Sequence, residues 1–558
     1  MVYKRKPKRR IAVIDFETDP FLHGRLPRPF AWGFYDGDRY VSHWQSNAWT
    51  SDECTKVLVD FLLDLPDDYL ILAHNGGKFD FLFFVNRLTG GLRIVNGRIL
   101  EARLGHHILR DSYGILPIPL AKLGGKLSID YQLMERDCRE SHRDEIMHYL
   151  RVDCEELYKA VTLFYEEFGD ALTIGGTAMK QLEKFHPYEK GNERFDAAFR
   201  KYYYGGRCQC FETGIIETRV KGYDVNSSYP DTMRNKKHPV STDYSTGYRI
   251  TKATAFVEWE GKNYNAVPTR TKTGLDFTVN EGKFFTTIHE FEAALESNAI
   301  KVDRILQTID FRLLQTFDSF IDWFYDKRLR AGDAGDIFHK EFYKLILNSA
   351  YGKFAQNPEN YEDSIILPHD ELPDSDDYFV KLTGGDYRIW ARPTARKNYL
   401  NVATAASITG GARATLLRGL ANSTRPLYCD TDSIYCEDMR GLADPKKLGA
   451  WKLEFEGDTI AIAGKKLYAV MGDSEYKDPV TGQIRTVHGC LKKASKGTTL
   501  SPLAIAMIAR GNRCETANDA PSFKLDGKHE FIKRTIGATA MIDHDDVEAL
   551  DDVAAIAE

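Results

Sequence analysis

The chain first reads as ordered structure at IAVIDFE (11–17), where apolar side chains run almost unbroken into two acids. Similar short runs at 31–35 and 69–73 predict strands, and the patterning of 55–64 and 142–167 predicts helices. Strands and helices mixed in this way imply an α/β domain ending near residue 185. A second region opens at KYYYGGR (201–207) and continues through GYDVNSSYP (222–230), a strand followed by a turn. Residues 312–355 predict a helix, a turn at AGDAGD and a second helix, IFHKEFYKLILNSAYGKF. Pro358 and the acidic HDELPDSDD (369–377) mark an insertion. A helix rich in small residues over 401–420 then leads into YCDTDSIY (428–435).

Composition adds room and setting. With 558 residues, 43% hydrophobic and 12% aromatic, the chain can build three or four domain-sized units with large cores. No apolar run approaches membrane-spanning length, and no signal peptide is expected. Nine cysteines include no CxxC pair, which argues against a zinc ribbon or iron–sulfur cluster and for a reduced, intracellular setting. The net charge of −6 gives no sign of a nucleic-acid partner. The first ten residues carry six bases, while 541–558 carry seven acids and no Lys or Arg, so the body is itself acidic. Any polyanion must be held in a local basic groove.

The candidate chemistry is acidic. Asp430 and Asp432 flank Thr431 inside apolar surroundings, where carboxylates need a cation or hydrogen bonds. In an extended segment they share a face, which aims both at Asp224 of YDVNSSYP on a neighbouring strand. Such acids repel unless cations lie between them, and hard oxygen ligands in an open site favour Mg²⁺. Alone, DTD reads equally well as a turn capped by Asp side chains. Lys340, Lys344, Asn348 and Tyr351 fall on one face of the second helix, a face suited to a triphosphate with a base or sugar beside it. A second acidic set lies upstream: Asp15 and Glu17 at i and i+2 on a strand, Asp80 in AHNGGKFD, and Asp153 one helical turn after Tyr149.

DVNSSYP, KLILNSAYG and YCDTDSIY, in this order, resemble motifs A, B and C of family B DNA polymerases. YYYGGR, read as YxGG, and KKLY, read as KxY, are similar to the protein-primed branch, whose members start replication on a terminal protein. FETDPF, AHNGGKFDFL and IVNGRILE are most similar to tectivirus-type phage polymerases. The resemblance implies an α/β and α+β multidomain chain. An RNase H-like (DnaQ-type) 3′–5′ exonuclease domain with a basic arm would occupy 1–188. A right-hand polymerase would follow: palm at 189–234 and 401–485, fingers at 311–357, and thumb with acidic tail at 486–558. Terminal-protein-region insertions would fill 235–310 and 358–400, within gaps of 120 positions from Asp224 to Lys344 and 79 from Tyr351 to Asp430. The first would dock the terminal protein. The second would encircle template and support strand displacement.

By the same resemblance, Asp224 and Asp432 would hold two Mg²⁺ ions, with Mn²⁺ able to substitute and Asp430 beside them. Tyr229 would lie under the incoming sugar, Lys340 and Lys344 would bind the triphosphate, and Asn348 and Tyr351 would shape the base-pair pocket. Arg328 or Arg330 would add a further contact. Tyr203, Gly205 and Gly206 would touch DNA, and Lys466 with Tyr468, on one strand face, would hold the primer end. LKKASKG (491–497) would contact the backbone at the thumb. In the exonuclease, Asp15, Glu17, Asp80 and Asp153 would bind two metals and Tyr149 would orient a water. His74, Asn75, Phe79 and Ser112 would contact the single-stranded end. The expected partners are primer–template DNA, single-stranded DNA, dNTPs and a terminal protein. The chain is expected to act as a monomer, off the membrane, in the cytoplasm of an infected, bacterial host. An ordinary nucleic-acid-primed polymerase differs in needing an oligonucleotide to start. A DNA-binding scaffold would have lost the seven acids, and a lone exonuclease leaves 200–558 unexplained.

Because phosphates would be held by Lys and Arg, primer–template binding is expected to weaken by roughly 10³-fold or more between 50 and 200 mM salt. A binding isotherm that barely moves across that range would contradict a basic groove.

Overall fold

The strand Arg10–Thr18 is the spine of the first sheet. It pairs antiparallel with Pro29–Tyr35 and parallel with Tyr69–Ala73, which places it inside the sheet, and cores on the two faces bury Val13 on one side and Ala12 and Ile14 on the other. The computed structural model of the chain describes residues 9–22, 24–47, 51–123, 128–272, 274–356, 362–394, 399–442, 447–477, 484–517 and 520–538. Most of the basic arm, the acidic tail and residues 395–398 of the second insertion lie outside these. The expected helices are present as Ser51–Leu63 and Arg143–Phe168. The longer one lays Ile146, Leu150, Cys154, Leu157 and Val161 on the sheet at helical spacing.

This sheet has ten strands, and three of them come from far along the chain. Strand Glu362–Pro368 of the second insertion pairs with Gly90–Val95 through Ser364↔Leu92, Ile365↔Gly91 and Ile366↔Gly90. Tyr387–Pro393 and Phe379–Thr383 extend it. Ile366, Tyr387 and Ile389 share one core with the first domain.

A seven-stranded antiparallel sheet carries the second region. Gly214–Val225 lies at its centre, between Ser433–Met439 and Trp451–Gly464. Ile484–Ser495 pairs along Leu467–Lys477 in the same sheet, so the expected thumb boundary at 486 falls inside a strand. Helix Val402–Asn422 is buried almost all round, which its Ala and Gly residues permit. A Cβ on Gly410 would stand 2.3 Å from Thr287 Oγ1 of the first insertion. That insertion is a four-stranded sheet, Tyr244–Gly247, Ile300–Phe311, Thr254–Asn263 and Glu281–Thr287, with helix Ile288–Glu296.

The expected helical pair at 312–355 is Asp318–Asp333 and Ile337–Lys353. Its start was placed too early: Leu314–Gln315 pairs as strand with His238–Pro239. Phe342 packs edge-on against Phe164 at 5.5 Å, which ties this hairpin to the first domain. No described helix is long and apolar enough to cross a membrane.

Ile389 is fully buried in the core shared by the insertion and the first domain. Ile389→Ala is expected to cost about 2–5 kcal/mol and to expose both segments to protease together. Cleavage confined to 362–393 would contradict one shared core.

Candidate active sites

Two acidic centres emerge, one in each sheet. In the palm sheet Ser433 stands opposite Asp224, and Val225 N donates to Asp432 O at 2.9 Å. The pairing brings residues 208 positions apart onto one spot. Asp430 ends strand Ser423–Asp430, and Thr431 has φ 55°, so the two acids flank a left-handed turn. The expected pleated geometry, with both acids on one face, is therefore corrected. Asp432 faces Asp224, whereas Asp430 Oδ2 lies 3.6 Å from Lys466 Nζ and accepts from Tyr428 at 3.4 Å. Burial first, then Asp224 and Asp430, push the Asp432 carboxyl up to about 7. Burial, then Glu454, raises Asp224, opposed by Lys492 and Lys452.

A cavity of about 560 Å³ opens beside these acids. Its wall carries Lys344, Asn348 and Tyr351 from the predicted helical face, with Tyr229 opposite. Tyr229 and Tyr351 stack face to face at 3.8 Å with their planes 15° apart, so each ring fixes the other. Of the two candidate arginines, Arg328 lines the cavity, and Arg330 pairs with Asp326 at 2.7 Å. Lys340 is exposed and lies outside the cavity lining, because it sits one turn too near the helix hairpin. Lys452 and Glu454 are lining residues that the sequence did not flag. They enter by strand register, since Lys452 pairs with Asp224.

Three successive carbonyls of the YYYGGR segment accept from arginines. Arg270 Nη2 donates to Tyr203 O at 2.6 Å, and Arg413 donates to Tyr204 O and, at 2.8 Å, to Gly205 O. Arg413 is 4% exposed and paired with Glu290 at 2.7 Å, a bracing role that no local pattern announced. Gly206 abuts Thr431, where a Cβ would meet Oγ1 at 2.5 Å. Lys466 sits in a turn at φ 56°, not on the strand face expected with Tyr468. Tyr468 is 6% exposed, and its hydroxyl lies 2.6 Å from Tyr435 Oη. In the free protein its ring packs into the palm core. Lys492, from LKKASKG, is exposed on its strand.

The other centre gathers Asp15, Glu17, Asp80 and Asp153. Burial first, then Asp80, Glu17 and Asp153, hold Asp15 well above the usual carboxylate range. Glu17 is raised in the same way by burial, Asp153 and Asp80. Burial lifts Asp80 to about 7 against backbone N–H donors. Tyr149 and Asp153 share a helix face and a hydrogen bond, as their spacing predicts. Asn75 is exposed at φ 61°, and Phe79 meets Phe21, Phe83 and Phe523 within 5.7 Å. Ser112 is fully buried, its hydroxyl donating to Ala73 O and lying 2.9 Å from His74 Nδ1. In the free protein it is turned inward and positions His74. His74 Nε2 is held near Ile118 O at 3.0 Å, so both ring nitrogens already have partners.

The donor chemistry fits cations at both centres. Glu17 Oε1 and Asp80 Oδ1 are buried without a hydrogen-bond partner, an expensive state for carboxylate oxygens. Among the described residues, no group of three or more acidic, His or Cys side chains is placed to hold a metal ion. Two carboxylates that leave remaining positions to substrate and water suit a hard ion such as Mg²⁺.

This fold and these centres define a DNA polymerase of the right-hand kind. The family described as DNA polymerase type B, organellar and viral, matches residues 127–435, and the chain belongs to it. It is 49% identical over 570 residues to the DNA-directed DNA polymerase of Enterobacteria phage PRD1, covering 96% of this chain and 99% of that protein. It is 27% identical to the DNA polymerase of Bacillus phage Nf over 409 residues, 62% of this chain and 65% of that one. In fold it resembles phi29 DNA polymerase solved with primer–template DNA, at TM-score 0.69 and 19% identity, over 95% of this chain and all of that one. The expected relationship to phage polymerases is borne out, and the chain is a DNA-directed DNA polymerase.

Asp432 and Asp80 have folded values near 7, above the roughly 4 of a free carboxyl. Their contribution to stability is thus full below about pH 4 and lost as pH rises through 7. Without divalent cations, Asp80→Asn is expected to raise the melting temperature at pH 8 and leave it unchanged near pH 4. A variant no more stable than wild type at pH 8 would contradict uncompensated burial.

Proposed function

We propose that this polymerase replicates a viral linear genome by protein-primed initiation, and that it proofreads with a 3′–5′ exonuclease in its first domain. The meeting of Asp224 and Asp432 beside the Tyr229–Tyr351 surface carries the reading. The pair would hold two Mg²⁺ ions, with Mn²⁺ able to substitute. Bound there, the ions lower the pKa of the attacking 3′-hydroxyl and neutralise the leaving pyrophosphate. Lys344 and Arg328 face the triphosphate across the cavity as a point charge and a planar fork. The stacked tyrosines carry the sugar and leave no space for a 2′-hydroxyl. Asn348 borders the nascent base pair. Lys466 neutralises Asp430 in the free protein and turns to the primer phosphate when DNA enters.

In the first domain Asp15, Glu17, Asp80 and Asp153 would hold the ions of the editing centre. Tyr149 orients the attacking water through its hydrogen bond to Asp153. Phe79 and Asn75, at the rim, receive the frayed 3′ end, with Phe79 stacking on a base. The first insertion docks the terminal protein. The second, fused to the exonuclease sheet, guides template and supports strand displacement. The enzyme works as a monomer in the cytoplasm of an infected bacterium, on primer–template and single-stranded DNA with dNTPs.

Incubation with the cognate terminal protein, Mg²⁺ and labelled dNTP is expected to give a covalent protein–nucleotide adduct without any oligonucleotide. Extension that always requires an oligonucleotide would leave an ordinary nucleic-acid-primed polymerase. Asp432→Ala is expected to abolish nucleotide addition and spare 3′ trimming, and Asp15→Ala with Asp80→Ala to do the reverse. Loss of both activities in either folded variant would contradict two separate centres.

A further inference from the structure

Arg207 is 3% exposed, and no carboxylate pairs with it among the described residues. A buried cation without a counter-ion is costly, so whatever compensates it is under constraint. Two things do. Gln209 Oε1 accepts from its Nε at 3.0 Å and Nη2 at 2.7 Å, and the ring of Phe277 lies 4.5 Å from Cζ. Phe277 belongs to the first insertion, whereas Arg207 belongs to the palm. Desolvated cation–π contacts are the strong kind.

The backbone of the same residue reaches the catalytic turn. Arg207 O accepts from Thr431 N at 2.7 Å, and Gly206 packs on the Thr431 side chain. Thr431 is the left-handed residue between Asp430 and Asp432. The insertion also grips the preceding residues, through Lys201 Nζ on Glu258 at 2.7 Å and Arg270 on Tyr203 O. A continuous run of contacts thus joins the first insertion to the acids.

We propose that Arg207 is a positioning residue for the polymerase centre. Clasped by Phe277, it fixes the carbonyl that sets the Thr431 turn and so the placing of Asp432 against Asp224. The inference rests on the metal-binding reading of those acids. It makes the first insertion part of the scaffold that shapes the polymerase centre.

The test compares Phe277→Leu, which keeps bulk and loses the aromatic face, with Phe277→Tyr, which keeps both. Arg207→Lys keeps the charge and loses the planar group. The readouts are the Mg²⁺ concentration for half-maximal extension of a primer–template, Mg²⁺-dependent trimming of single-stranded DNA, and melting temperature. Phe277→Leu and Arg207→Lys are expected to need about fivefold more Mg²⁺ for extension, the change that about 1 kcal/mol carries. Phe277→Tyr is expected to match wild type and trimming to stay unchanged in all three, while the Leu and Lys variants melt somewhat lower because each weakens the compensation of a buried cation. A Phe277→Leu variant with wild-type Mg²⁺ demand would overturn the positioning role, as would equal defects in Leu and Tyr variants or a parallel loss of trimming. Extension by wild type without any divalent cation would instead overturn the metal reading itself.

Discussion

Two like charges share a low-dielectric corner where strands Gly214–Val225 and Ser433–Met439 meet, and the polymerase centre depends on that repulsion. The palm sheet forces the encounter, because register fixes Asp432 against Asp224 whatever the acids prefer. Uncompensated, the pair resists ionisation, and a cation removes the conflict. The first domain repeats the arrangement on a different sheet, with four acids and two buried oxygens left without partners. In each centre the fold holds acids together against their own repulsion.

The surrounding residues answer to that corner. Lys466 balances Asp430, the acid that turns away, while Lys452 and Lys492 lower the cost at Asp224. The stacked Tyr229 and Tyr351 close one side of the cavity and leave Lys344 and Arg328 as its cationic wall. Arginines fasten the YYYGGR segment behind the turn. The second insertion joins the ten-stranded sheet by main-chain pairing, which makes it continuous with the first domain.

Local periodicity made much of this legible. IDFET spaces Asp15 and Glu17 at i and i+2 on a strand, HYLRVD spaces Tyr149 and Asp153 as helix neighbours, and KLILNSAYG puts Lys344, Asn348 and Tyr351 on one helical face, and each grouping is present. What stayed hidden depends on long-range pairing or on a single backbone angle. The left-handed Thr431 broke the pleat assumed for YCDTDSIY, and the turn at Lys466 did the same for KKLY. Lys452 and Glu454 reach the cavity only through register with Asp224. Ser112 and Tyr468 match their motifs in type, yet burial gives both an inward hydrogen-bonding task. Nothing near residue 90 announces a partner strand near 365.

Proton release on cation binding tests the central claim most directly. Asp432 and Asp80 are partly protonated near pH 7, so a binding cation must displace those protons. Calorimetric titration of the metal-free protein with Mn²⁺, repeated in buffers of different ionisation enthalpy, measures the protons released. Net release at pH 7 that vanishes at pH 9 and shrinks in Asp432→Asn is the predicted result. Binding with no proton release at pH 7 would mean the acids are already ionised and apart, and would contradict the account.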